Sequence, residues 1–219
     1  MSKRGYYQGD YIEMKVLPKD PLNILVAGVG GQGNVMLAQI MGQALVMEGF
    51  FAVVGDTFGA SQRGGSVASH IRISKDTEYS SIVPKGQADF ILGMEPSETL
   101  RVMGVYANPN TRVMVNPRVV LPPTVISGAD TYPDTDEVLA AIEKHSSRLW
   151  IVNATEEAMN LGNRLYANTI LMGATLGTGV LPIGRDSVVK IYKERFADPK
   201  VYEANIKALD LGISLTARR

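Results

Sequence analysis

The chain has 219 residues, enough for one large domain, and balances 22 basic against 22 acidic side chains, so net charge argues against nucleic acid as its main partner. It contains no cysteine, which excludes disulfides, cysteine-ligated iron–sulfur clusters and zinc–thiolate sites within this chain. No stretch reaches the ~18 consecutive apolar residues of a membrane span, and the N-terminus lacks the apolar core of a signal peptide, so the expected location is cytoplasmic.

Residues 1–21 are polar and tyrosine-rich (Tyr6, Tyr7, Tyr11) and close with Pro18 and Pro21. Aromatic side chains bury much area at small entropic cost, which suits an arm ordered against a partner chain. A passive tail is the alternative. The domain proper is expected over residues 22–219. Residues 23–26 read as a first strand, and a helical pattern with Val35, Leu37, Ile40, Met41, Ala44 and Leu45 runs over 34–46, broken near Gly49. Residues 51–55 read as a second strand ending at Asp56. After a glycine-bearing loop over 59–65, Val67, Ser69, Ile71 and Ile73 alternate with polar or small neighbours, the pattern of a strand with one covered face. Residues 88–93 and 112–116 are short apolar strands, and 117–133 is a proline-rich loop or edge excursion. An amphipathic helix over 136–145 precedes a strand over 149–153. The rest is helical, over 155–161, 166–179, 186–196 and 201–211. The alternation predicts an α/β fold: a Rossmann-like, doubly wound, mostly parallel sheet with a helical C-terminal part.

Between the first strand and its helix stands Gly28-Val29-Gly30-Gly31-Gln32-Gly33. Glycines permit a tight turn and let backbone N–H groups approach a ligand without an intervening Cβ. The helix start then offers unpaired donors and partial positive charge to an anion. Three readings are open. The loop can be a packed turn with no ligand. It can hold a dinucleotide, with Asp56 in the ribose position. Or it can act with the second loop, Ala60-Ser61-Gln62-Arg63-Gly64-Gly65-Ser66-Val67, where Arg63 beside bare glycine N–H groups suits a carboxylate or phosphate. That second loop replaces the crossover helix a dinucleotide fold would place after Asp56, and it can also be a plain turn in which Arg63 pairs with a nearby acid.

The remaining polar residues have structural readings. His70 lies on the strand after the turn, on the face opposite Val67, Ile71 and Ile73. His145 closes a helix as a C-terminal cation. Glu156 and Glu157 read as first-turn acidity after Thr155 as cap. Met36, Met41, Met47, Met159 and Met172 read as core or interface filler. No nucleophile–base–acid set and no metal-ligand spacing is legible, so no catalytic residue and no metal ligand is expected here.

The two loops in combination resemble the gamma-type domain of the 2-oxoacid:ferredoxin oxidoreductases, in particular the small subunit of the indolepyruvate and aryl-2-oxoacid members. The residues that carry the resemblance are Ala27-Gly28-Val29-Gly30-Gly31-Gln32-Gly33, Ser61-Gln62-Arg63-Gly64-Gly65-Ser66-Val67 and Ser69-His70-Ile71-Arg72. Ala88-Asp89, Gly93, Glu95-Pro96, Glu98, Val115-Asn116 and Asn168 through Gly173-Ala174 also fit, over about residues 22–197. The resemblance implies one subunit of an enzyme that decarboxylates an aryl 2-oxo acid on thiamine diphosphate and passes acyl to coenzyme A and electrons to ferredoxin. Thiamine diphosphate, Mg and 4Fe-4S clusters would then sit on partner subunits, and the isolated chain would be inactive. It implies coenzyme A as a candidate ligand here, with Gly30, Gly31, Gln32, Gly33, Gln62, Arg63, Gly64 and Gly65 as the binding set. Pyruvate-specific members carry a lysine in the corresponding loop, whereas here Gly33 is followed by Asn34, Val35 and Met36, with no lysine before Lys75. A phosphate clamp would rest on backbone N–H groups and Arg63, or on the partner. A stand-alone NAD-binding protein and a purely structural subunit are the rival expectations.

Overall fold

The computed structural model describes residues 17–59 and 65–217. Tyr6, Tyr7 and Tyr11, and the Gln62, Arg63 and Gly64 of the second loop, lie outside them. In chain order the elements are β1 (Leu22–Val29), α1 (Asn34–Met47), β2 (Phe51–Phe58), β3 (Ser66–Ser74), β4 (Phe90–Gly93), α2 (Pro96–Tyr106), β5 (Arg112–Val115) and the single turn α3 (Pro123–Ile126). They continue with α4 (Thr135–Lys144), β6 (Arg148–Ile151), α5 (Ala154–Asn160), a 3-10 turn (Arg164–Tyr166), α6 (Ala167–Gly177), α7 (Arg185–Arg195) and α8 (Pro199–Thr216).

The six strands form one sheet in the order β2-β3-β1-β4-β5-β6. β1, β4, β5 and β6 are parallel neighbours, and β3 runs against both β1 and β2. The sheet is thus mostly parallel with one reversed strand. β1 is buried at every position, as a central strand covered on both faces must be. Its alternate side chains feed two cores. Ile24 and Val26 join Ile71, Phe90, Leu92 and Met114 beneath α1 and the C-terminal helices. Leu25 and Ala27 join Ile91, Val113 and Val115 beneath α2 and α4.

Three expectations are revised by packing. Alternation in residues 67–73 predicts one covered face, yet Val67 through Ser74 are all buried. β3 lies inside the sheet, and the segment around Ser80 and Val83 covers its second face, so the polar residues are paired internally. Arg72 donates from Nε to Asn23 Oδ1 (3.0 Å) and stands over the Tyr79 ring at 4.7 Å. Helix α2 is absent from the sequence reading although its start is well marked. Pro96 occupies the first turn, and the Glu95 carboxylate accepts from Glu98 N at 2.8 Å. Helix α8 extends five residues past the expected end at Leu211, to Thr216. The cause is its seam with α6, where a Cβ on Gly212 would stand 2.0 Å from Ile170 O.

Of the ten methionines, Met41 and Met172 are fully buried, Met47 and Met159 are exposed, and Met36 packs partly buried against the core. Among the described residues no helix is long and apolar enough to cross a membrane.

Candidate functional site

β1 delivers its chain to α1 on one face of the sheet, and β4 delivers its chain to α2 on the other. The connections part beyond the carboxyl ends of β1 and β4, where open α/β sheets leave a ligand crevice. Here the glycine loop supplies one wall of a cleft of about 540 Å³.

The loop is held by its own side chains. Gln32 folds inward: its Oε1 accepts from Val29 N (2.7 Å) and its Nε2 donates to Met94 O at the end of β4 (3.2 Å). Gly28 makes room for that fold, since a Cβ there would lie 2.6 Å from Gln32 Oε1 and 2.8 Å from Met94 Cβ. Gly31 and Gly33 adopt φ of +101° and +87°, the left-handed region open to glycine. Gly33 is also pressed by Asn168, whose Nδ2 donates to Gln32 O at 2.9 Å. The 14-residue helix α1 then starts with no side-chain cap and no acidic residue in its first turn. Its first N–H groups and positive dipole end therefore remain available to an anion. Asn34, the first residue of α1, is buried, and neither of its amide atoms has a hydrogen-bond partner among the described residues.

Across the cleft stand Asn116 and Arg118 after β5, Thr155 at the start of α5, Arg164 on the 3-10 turn and Asn168 on α6. Asn116 Nδ2 donates to Thr155 Oγ1 at 3.0 Å, which fixes both side chains. Thr155 is therefore not the helix cap expected of it: α5 begins at Ala154, and Asn153 donates to Glu156 instead. Glu156 and Glu157 do sit in the first turn. Arg118 and Arg164 are exposed, and neither has an acidic partner among the described residues. A second recess of about 420 Å³ shares Gly31, Gln32, Leu165 and Asn168 with the cleft and has Met36, Ile40, Tyr192 and Phe196 on its walls, with Asn163, Thr169, Arg195 and Asn205 among its polar lining residues. A polar chamber with two guanidinium groups and part of the glycine loop thus adjoins one with a larger apolar share. That pairing suits a ligand with an anionic group and a hydrophobic body.

Of the expected binding set, Gly30, Gly31, Gln32 and Gly33 form the loop, and Gly30 N donates to Gly65 O at 2.8 Å, joining the two glycine segments. Gln62, Arg63 and Gly64 lie outside the described residues. Asp56 does not reach the loop. β3 lies between β2 and β1, and the Asp56 carboxylate accepts from Ser69 Oγ at 2.5 Å. In a dinucleotide fold the strand bearing that acid is next to β1, so the ribose position is not formed. Asn116, Arg118, Thr155, Arg164 and Asn168 are absent from the expected binding set. The available signal was position: Asn116 and Arg118 follow the carboxyl end of a parallel strand.

Two buried titratable groups lie outside the lining of the cleft. His70 is fully buried, accepts from Val83 N at Nδ1 (3.2 Å) and meets Thr57 Oγ1 at Nε2 (3.2 Å). Burial lowers its pKa, partly offset by Asp56. It holds the segment at Val83 to the sheet, in keeping with a structural role. Glu95, immediately after Met94, is buried and accepts from the Tyr132 hydroxyl. Desolvation raises its pKa, against hydrogen bonds from Tyr132 and Glu98. His145 caps the end of α4 as expected.

Compared with known proteins, the chain matches the profile of the family described as pyruvate ferredoxin/flavodoxin oxidoreductase over residues 23–215. It is 37% identical over 191 residues to the indolepyruvate oxidoreductase subunit IorB of Archaeoglobus fulgidus, covering 87% of this chain and 93% of that one. It is 35% identical over 192 residues to the subunit of the same name from Pyrococcus horikoshii, covering 87% and 94%. Among solved structures it is similar, with TM-score 0.68 and 18% identity, to a 2-oxoglutarate:ferredoxin oxidoreductase from Magnetococcus marinus with 2-oxoglutarate, coenzyme A and succinyl-CoA bound. That likeness covers 89% of this chain and 31% of that chain, and speaks to the fold alone.

Proposed function

Because the chain belongs to the pyruvate ferredoxin/flavodoxin oxidoreductase family, we propose that it is the gamma-type subunit of a cytoplasmic 2-oxoacid:ferredoxin oxidoreductase acting on an aryl 2-oxo acid such as indolepyruvate. The complex converts the oxo acid and coenzyme A to the acyl-CoA and carbon dioxide and reduces ferredoxin. Thiamine diphosphate with Mg supplies the carbanion-stabilising chemistry and 4Fe-4S clusters the electron path. Both belong to the partner subunit in this reading: the chain has no cysteine, and no group of three potential metal ligands occurs among the described residues.

The observation that carries the role of this chain is the cleft lined by Arg118 and Arg164 together with Gly31 and Gln32 of the loop that leads into the uncapped start of α1. In our reading it takes the phosphates of coenzyme A. The backbone N–H groups of Gly31 and Gly33 and the two guanidinium groups hold negative charge, and the apolar recess takes a hydrophobic part of the ligand. Arg63, with Gln62 and Gly64, belongs to the same proposal as a third cationic contact.

The test is reconstitution with the partner subunit. Ferredoxin reduction should require both chains, the oxo acid and coenzyme A. Arg118→Ala and Arg164→Ala should each raise the KM for coenzyme A about tenfold, the loss of about 1.4 kcal/mol of a charge-assisted contact, while subunit association stays unchanged. Arg63→Ala belongs beside them. An unchanged KM in all three would take the ligand off this cleft. A micromolar NAD site on the isolated chain would favour the nucleotide reading instead.

A further inference from the structure

Among the described residues β2 is the outermost strand on its side of the sheet, eight residues long and partly open to solvent throughout. It pairs with β3 at every position from Phe51 to Phe58, without a bulge. Gly59 N donates to Ser66 O at 2.7 Å in continuation of that register. Peptide groups of odd-numbered residues therefore aim at β3, and those of Ala52, Val54, Asp56 and Phe58 aim outward. Proteins normally blunt such an edge by shortness, charge or proline. The opposite edge obeys: β6 has four residues and begins at Arg148, whose guanidinium lies over the Trp150 ring at 4.5 Å. β2 carries no lysine, arginine or proline, and its one charged residue, Asp56, accepts from Ser69 Oγ of the neighbouring strand.

Alongside β2 runs a groove of about 580 Å³ walled by Gly42, Val46 and Met47 of α1, Ala52 and Val54 of β2 and Ile191 of α7, with Glu194 its one charged lining residue. Exposed apolar side chains flank the edge: Val46 and Phe58 are each 57% exposed, Phe51 43% and Met47 40%.

The size pattern of the strand selects the occupant. A second copy related by a two-fold axis must set outward-facing residues opposite outward-facing residues, so the axis passes through a residue rather than between two. Centred on Gly55, the pairing sets Gly55 against itself, Val54 against Asp56, Ala52 against Phe58 and Phe51 against Gly59. Every phenylalanine then faces a small residue, and Phe58 of each copy passes over Ala52 into the groove of the other. Centred on Val54, Phe58 would instead face Phe50, which is buried in its own core. We infer that β2 is a seam between two copies of this chain, joined edge to edge and antiparallel about Gly55, with Phe58 of each seated in the groove of the other.

The seam is about 27 Å long by the rise of a strand. Across one strand-and-helix layer it hides on the order of 500 Å² per copy, less than the roughly 800 Å² of a standard interface, so the dimer forms in the micromolar range.

The absence of cysteine makes the register directly testable. Ala52 and Phe58 of opposite copies form a hydrogen-bonded pair with Cα atoms about 5.5 Å apart, within disulfide reach. On mild oxidation the full-length Ala52→Cys/Phe58→Cys variant should give a covalent dimer reversed by reductant, whereas Phe58→Cys alone should not. Sedimentation velocity of the unaltered chain from about 5 to about 200 µM should follow a monomer–dimer equilibrium. Phe58→Lys should abolish that equilibrium without lowering the melting temperature. A monomer throughout the range, a dimer that survives Phe58→Lys, or failure of the double variant to cross-link would each overturn the seam. So would a Phe58→Cys thiol shielded from alkylation by the partner subunit alone.

Discussion

Gly31 and Gly33 are separated by one residue, share a left-handed backbone and have different roles. A Cβ on Gly33 would stand 2.3 Å from Asn168 Nδ2, whereas at Gly31 nothing lies within 4 Å. Gly33→Ala therefore adds a clash to the backbone cost and breaks the Asn168–Gln32 hydrogen bond, for about 2–3 kcal/mol of stability. Gly31→Ala should cost only the backbone term of about 1 kcal/mol, and its side chain projects into the cleft. Thermal melting should separate the two variants, and coenzyme A titration of the complex should show the loss of affinity in Gly31→Ala. The glycines were legible in the sequence because their chemistry is local. Asn168, 136 positions from the loop it braces, was not legible as part of it.

His70 gives a pH signature. Burial lowers its pKa below 6.5, so the folded state binds fewer protons than the unfolded chain. Its contribution is complete above about pH 6.5 and is lost as pH falls from there through the lowered folded value. Glu95, with its raised pKa, works in the opposite sense: it favours the fold below the unfolded carboxylate value and loses that contribution as pH rises. A variant isolates the histidine better than the unaltered curve. His70→Gln should be less stable at pH 7.5, yet lose less between pH 7.5 and 5.5 than the unaltered chain. Equal losses in the two melting series would show that His70 does not titrate there.

At the scale of elements, the seam of α6 and α8 brings two helix backbones into close contact. A Cβ on Gly173 would lie 2.0 Å from Leu209 O, and one on Gly212 lies as close to Ile170 O. Thr216 Oγ1 donates to Ala174 O at 2.7 Å and pins the end. Gly212→Ala must push the helices apart, at about 3 kcal/mol, which for a domain of this size lowers the melting temperature by roughly 6–12 °C. A shift under about 2 °C would mean that the seam yields freely. Such glycines lower helix propensity in isolation, so sequence reading ends the helix early and only the neighbouring backbone explains their presence. The same kind of omission removed α2, whose Glu95 and Pro96 are sound start signals but whose buried face is confined to Pro96, Thr99, Val102 and Met103.

For the whole molecule, the N-terminal segment and the order of the strands matter most. Leu17 is buried in the core, Lys19 Nζ meets Asp89 Oδ1 at 2.8 Å, and Asp20 accepts from Lys75 N at 3.0 Å. A truncation meant to test the proposed arm should therefore end at residue 16 and leave Leu17 in place. Deleting residues 1–16 should leave the melting temperature of the isolated chain unchanged and weaken its binding to the partner subunit, measured by titration calorimetry. Equal affinity would make the segment a passive tail.

The sequence by itself determined the α/β class, the glycine turn, most strands and helices and, through the absence of cysteine, the lack of a cysteine-ligated cluster. Each of these rests on residue type or on spacing within a few turns of chain. The tertiary structure alone decided that β3 inserts between β1 and β2, which carries Asp56 away from the loop and removes the ribose position. It also decided that Arg118 and Arg164 line one cleft with the glycine loop. Strand order and the convergence of distant loops depend on how two buried faces are covered at once, and no local pattern encodes that.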